Sequence, residues 1–243
     1  MTTMTTTYDL YLESGPKRRK TMVHVLDLLG CVAVGPTTED ALAATPDAIR
    51  AYRRFLGRHG ATGDAGAPFA TRVAEHITEG DWLGNGSPYL AFGPDLDPLT
   101  DGEIEDLLLR FQWLRGDLAD WTATQTSEQL DVPPSDGGRT ARAILLHVLG
   151  ASGAYLAAAL GGAPGFSRLH STVERGELDL ADGLRRAATM VVERVRATTP
   201  EERVAVRVRP KELRTLRKAF RRMLEHDWEH LAELSRRPGG PRL

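Results

Sequence analysis

The 243-residue sequence predicts an α+β protein: a small sheet-and-helix domain over residues 1–80, a linker over 81–98, and a four-helix bundle over 99–238. Three observations predict this. The first 80 residues hold short runs rich in β-branched and aromatic residues with partial period-two alternation. From residue 99 onward, apolar residues recur at helical spacing in long segments. The connection between the second and third of these segments is long, whereas short loops join antiparallel neighbours, so it predicts a crossover between two parallel helices.

In the first domain, "YDLYLES" and "TMVHVLDL" read as strands separated by the turn signal "GPKRR", and "CVAVGPT" as a third, shorter strand. "TEDALAATPDAIRAYRRFLGRHG" reads as a helix capped by Thr38, with Leu42, Ile49, Tyr52 and Leu56 facing inward and Pro46 placed to kink or split it. "GATGDAGAP" is a flexible break, and "FATRVAEHITEG" can add one more strand. "GNGSPYLAFGPDLDP" is too rich in Gly and Pro to continue any element.

The run "DLLGCVAVGPTTEDALAATPDAIRAY" resembles the HicB-like family, with its strand, Gly-Cys turn, strand, Gly-x-Thr and helix order. The resemblance covers about the first 60 residues and a returning strand to about residue 80. It implies a small β-sheet with a helix. Antitoxin members of that family bind a small toxin protein; the fold is carried over here and that role is not. Gly30 and Cys31 read as a tight turn into a strand.

The bundle opens on "TDGEIEDLLLRFQWLRGDLADWTAT", where Thr100 and Glu103 form a capping-box signature and Ile104, Leu107, Leu108, Phe111, Leu114, Leu118 and Trp121 an inward stripe. "TARAILLHVLGASGAYLAAALG" is apolar nearly all round, as in a bundle helix with little exposed face, and Gly150 and Gly153 would let a partner helix come close. "DLADGLRRAATMVVERVRATT" is the third helix, and the fourth runs from about Lys211 to Arg236.

Composition bounds the function. Lys plus Arg total 31 against 33 Asp plus Glu, which gives no global reason to expect a polyanionic partner. Cys31 is the only cysteine, so an intramolecular disulfide is excluded and a reducing compartment fits. The N-terminus has no apolar signal region, and no uninterrupted apolar run approaches about 20 residues, so a cytoplasmic location and no membrane partner are expected. Abundant Leu, Ala, Arg and Gly with scarce Lys hint at a GC-rich bacterial genome.

The fourth helix contains "RRMLEHDWEHLAELSRR", with His226 and His230 one turn apart. Leu216, Phe220, Met223, Leu231 and Leu234 define its apolar face; the histidines lie along that face's edge, and Lys218, Arg221, Arg222 and Glu225 on the other side. Two inward imidazoles need partners for four ring nitrogens, and a metal ion supplies one for each ring. His147, mid-helix in "ARAILLHVLG", is the candidate third ligand, since burying it unpartnered would cost about 1 to 3 kcal/mol. The alternative is that each is a hydrogen-bonded core histidine.

With these pieces in order, residues 97–237 resemble the DinB-like superfamily of four-helix bundles, which includes small-thiol-dependent transferases and isomerases. The resemblance rests on the first-helix stripe, on "ILLHVLGASGAYL" and on "LRKAFRRMLEHDWEHLAEL". That family holds one metal through a histidine of the second helix and two, spaced by four, of the last, which implies His147, His226 and His230 as ligands. Ergothioneine-type sulfoxide synthases carry a Glu two residues beyond the last histidine, where this sequence has Ala232, with Glu233 one later. They also need a large second catalytic domain, so that activity is set aside.

Three neutral imidazoles leave open positions on a divalent Zn, Fe or Ni ion, as in a catalytic or substrate-binding site. Such an ion could activate a low-molecular-weight thiol for transfer to an electrophile or for isomerisation. With Cys31 in the other domain, the thiol would be a cosubstrate, and the partners expected are small molecules. Asp227, on the apolar face, either orients a ligand ring, acts as a base, or bonds a neighbouring backbone group or Arg. Tyr155 either lines the mouth of the site or is a packed tyrosine. His170 and Arg168, on the crossover, either close over a substrate or belong to a solvated loop. The basic run from Arg203 to Arg222 lacks aromatic interleaving, so no nucleic acid is expected. The first domain is then a lid, a homodimerisation surface or an accessory module. The competing reading is a non-enzymatic metal- or ligand-binding protein, or an interaction protein built around the first domain.

Overall fold

The structure, a computed structural model, describes residues 5–16, 19–61, 64–135 and 137–243. Lys17 and Arg18 of the expected "GPKRR" turn, and Thr62 and Gly63 of the expected break, lie outside the described residues. The chain divides into two compact units, Met1–Asp97 with Val206–Arg214 and Leu243, and Pro98–Ala205 with Thr215–Arg242.

The first unit contains β1 (Thr6–Ser14), β2 (Thr21–Val25), β3 (Val32–Gly35), α1 (Thr38–Arg58) and β4 (Phe69–Ile77). The sheet order is β3-β2-β1-β4, antiparallel except where β4 runs parallel to β1. A parallel pair needs a crossover, and α1 lies within the connection from β3 to β4. Leu10 and Leu12, paired with Val25 and Val23, are buried, as are Ile49, Tyr52 and Phe55 of α1. Thr37, one residue before the expected cap, accepts from the Asp40 N–H at 3.1 Å. α1 runs through Pro46 as one helix, and its inward set includes Ala41, Thr45 and Phe55, while Leu42 is only half-buried. Gly30 has φ 106°, and a Cβ there would collide with the Tyr52 hydroxyl, which donates to the Leu29 carbonyl at 2.6 Å.

The second unit contains α2 (Asp101–Ala123), α3 (Ser127–Asp131), α4 (Ala141–Leu160), α5 (Phe166–Glu174), α6 (Leu180–Arg196), α7 (Pro200–Val204) and α8 (Leu216–Ser235). Of the four long helices, α2 packs on α6 and α8, and α4 packs on the same two, which puts α2 and α4 across a diagonal. The Thr100–Glu103 capping box forms, and the apolar stripe of α2 is buried through Leu118, with Trp121 half-buried. The long connection between α4 and α6 carries α5. Its Phe166 seats on Gly153 of α4, where a Cβ would stand 2.6 Å from the Phe166 Cβ, so the small residue serves α5.

Two expectations change in the last segment. α8 begins at Leu216, five residues later than expected, because Lys211 takes φ 68° and joins the short strands β5 (Arg207–Arg209) and β6 (Glu212–Arg214), which group with the first unit. Lys218, Arg221, Arg222 and Glu225, expected to face outward, are buried. Glu225 takes Arg221 at 3.1 Å and Arg222 at 2.7 Å, so charge on this face is paired at helical spacing rather than solvated. α4, with a mean hydropathy of 1.8, is long and apolar enough to cross a membrane; half of it is buried in the bundle, where an apolar helix belongs.

Candidate metal centre

Two well-capped helices set the site. Thr215 accepts from the Lys218 N–H at 3.0 Å and starts α8, whose 20 residues contain no Gly or Pro. Thr140 starts α4 in the same way through the Ala143 N–H at 3.2 Å. The one-turn spacing on α8 stacks His226 and His230 with ring centroids 4.6 Å apart, and His147 approaches from α4 at 4.7 and 5.3 Å.

The ring nitrogens converge. His226 Nε2 lies 2.8 Å from His147 Nε2, and one nitrogen from each ring lies within 4.8 Å of the other two. Nitrogens sharing an ion at about 2.1 Å stand roughly 3.0 to 3.4 Å apart, so the short edge is close to that spacing and small ring rotations bring in the third. His226 and His230 are buried, whereas His147 is exposed. His147, expected in the core, lies at its edge, because Ile144, Leu145, Val148 and Leu149 take the core positions. The cluster is therefore open on its α4 side.

Electrostatics favours the neutral form of His226 and His147. Burial pushes the His226 pKa down to about 4, partly opposed by Asp227. Burial also lowers that of His147, with help from the charge of Arg139. His230 Nδ1 donates to Glu233 Oε2 at 2.8 Å, which leaves its Nε2 with a lone pair. The same bond holds the Glu233 carboxyl below the usual carboxylate range. An all-nitrogen donor set with one exposed member fits a divalent transition metal with open positions.

The DinB superfamily model matches residues 110–234, over half of the chain. The chain belongs to the DinB superfamily. The match takes in all three histidines of this DinB bundle, together with Glu233, Arg115 and Asp227, and begins after residue 97, where the main part of the first unit ends. Among solved structures, the chain is similar to YfiT from Bacillus subtilis, described as "a probable metal-dependent hydrolase with an unusual four-helix bundle topology". The TM-score is 0.42 at 20% identity, covering 58% of this chain and 90% of that one. No curated protein matches the chain.

The other residues singled out in the sequence divide around this DinB site. Asp227 is fully buried and held on both oxygens by Arg115 of α2, Nε to Oδ2 at 2.5 Å and Nη2 to Oδ1 at 3.0 Å. Arg115 Nη2 also donates to the Val148 carbonyl at 2.8 Å and Ser152 Oγ at 2.6 Å on α4. Asp227 Oδ1 is 3.7 Å from His226 Nδ1, which has no hydrogen-bond partner among the described residues. Tyr155 is half-buried, its ring 6.0 Å from that of His226. His170 lies against Gly150, one turn along α4 from His147. Arg168 is exposed and lines a groove of about 370 Å³ with Arg186 and Met190, whose lining includes none of the three histidines.

Two residues escaped the sequence argument. Glu233 was compared with a position one residue earlier, although the His-x-x-Glu spacing puts both side chains on one helix face. Arg115 was passed over inside an apolar stripe; its place between Phe111 and Leu118 was the available signal.

Proposed function

We propose that this DinB protein is a metal-dependent enzyme that activates a low-molecular-weight thiol for transfer to an electrophile or for isomerisation. The observation that carries the reading is the cluster of His147, His226 and His230, open on one side and braced by Glu233. A free thiol with pKa about 8.5 is only roughly 3% thiolate at pH 7, and a divalent ion held by the three histidines would deprotonate it on coordination.

The chain's own groups supply the rest. Glu233 keeps the proton of His230 on Nδ1 and so directs Nε2 into the cluster. Arg115 engages both oxygens of Asp227, which makes that carboxylate a fixed negative charge beside His226 rather than a base. Tyr155, whose ring lies 6.0 Å from that of His226, would donate its hydroxyl proton to an electrophile at the mouth. Cys31 is buried in the first unit, so the reacting thiol is a cosubstrate. The first unit keeps its reading as a HicB-like accessory module, supported by the strand, Gly-Cys turn, strand and helix order.

The test is metal analysis of untagged protein purified without added metal, followed by an electrophile panel with and without thiol. Stoichiometric metal and thiol-dependent consumption of an electrophile are expected, both lost in His147→Ala. Metal without thiol consumption would mark a binding protein, and consumption of substrate without thiol a hydrolytic one; either overturns the thiol reading.

A further inference from the structure

The charges around the histidines do not balance, and the excess sits on one side chain. Glu233 Oε2 takes His230 Nδ1 at 2.8 Å, and its Oε1 lies 3.3 Å from Arg237. Asp227 is consumed by Arg115. Arg139, two residues ahead of α4, has its Nη2 3.6 Å from Glu233 Oε2, the oxygen already bonded to His230. That distance is too long for a hydrogen bond. Among the described residues the Arg139 guanidinium makes no hydrogen bond, and its side chain is 47% exposed.

Its position is nonetheless fixed. The Arg139 carbonyl accepts from Arg237 Nη2 at 2.9 Å, which ties this loop to the last turn of α8 and its neighbour. Arg139 thus stands beside the Glu233 carboxylate that holds His230 of the cluster. A guanidinium carries five N–H donors in a planar fork that matches one carboxylate bidentately. A divalent ion at the histidines would add further positive charge on the same side.

We propose that the thiol bound at the three histidines carries a carboxylate, and that Arg139 is the residue that selects it. This rests on the metal-site reading above. A neutral thiol leaves the fork facing water, whereas a carboxylate fills it and offsets the charge excess. A single guanidinium balances the single charge of one carboxylate, whereas a phosphate near neutral pH carries close to two.

The experiment uses the full chain loaded with Co²⁺ and reads the sulfur-to-cobalt absorption band as 3-mercaptopropionate or its methyl ester is added. The acid is expected to bind about tenfold tighter than the ester, the scale of one charge-assisted bond. In Arg139→Gln that preference should vanish while the ester binds as before, and in Arg139→Lys part of it should return. Equal binding of acid and ester, or a preference that survives in Arg139→Gln because the carboxylate chelates the ion directly, overturns the inference alone. Failure of the chain to take up Co²⁺ overturns the metal-site reading, and the inference falls with it.

Discussion

Glu233 accepts the Nδ1 proton of His230 at 2.8 Å and thereby decides which nitrogen of that ring faces the cluster. A ligand histidine without such a partner is free to choose its tautomer and its orientation. Glu233→Gln should therefore weaken metal binding by about 10- to 100-fold with the helical content unchanged. Chelator competition alongside circular dichroism measures both, and unchanged affinity would remove Glu233 from the site.

The Arg115–Asp227 pair is fully buried, so breaking it leaves an unpaired charge in the bundle. Asp227→Ala should cost about 3 to 5 kcal/mol, whereas the double variant Arg115→Met with Asp227→Leu should recover most of that loss. Urea unfolding of the three proteins gives the numbers; a single variant within about 1 kcal/mol of the parent would mean the pair is solvated.

Glu103 provides a pH dependence remote from the histidines. The Thr100 backbone N–H, at 2.8 Å, and Arg217 hold its pKa near about 2, against 4.5 as its ordinary value. A carboxyl depressed in the folded state stabilises above its unfolded pKa and loses that contribution as pH falls through the folded one. Stability should thus decline between about pH 4.5 and 2, and Glu103→Gln should flatten this part of the curve. An unchanged acid limb in thermal unfolding would count against the cap.

Gly153 is the seat of Phe166. Gly153→Ala places a methyl 2.6 Å from the Phe166 Cβ and should cost about 1 to 3 kcal/mol, overriding the helix propensity that alanine gains. A stabilised variant, read from its denaturation midpoint, would show that α5 docks elsewhere.

The spans of α2, α4 and α6 were legible because caps and apolar spacing are local properties; Thr100 with Glu103 is written in four consecutive residues. What failed was sidedness. α4 is apolar nearly all round, so its neighbours could not say that His147 points out. On α8, charge does not mark solvent, since Arg221, Arg222 and Glu225 pair with one another in a buried setting. The partner of Asp227 lies 112 positions away on another helix, a relation that no local pattern encodes. β5 and β6, at three residues each, are too short to show a period.

Arg115 starts on α2 and ends bonded to Val148, Ser152 and Asp227, so one guanidinium pins together the two helices that carry the histidines. Sliding α4 against α8 by even one residue would break either the guanidinium's two bonds to α4 or its two to α8. On the proposed metal reading, these bonds would hold the three histidines in place independently of an ion, unlike the small zinc domains that fold only around their metal. Loading and stripping the site should then be reversible chemistry on a standing scaffold, with the chain equally structured in both conditions.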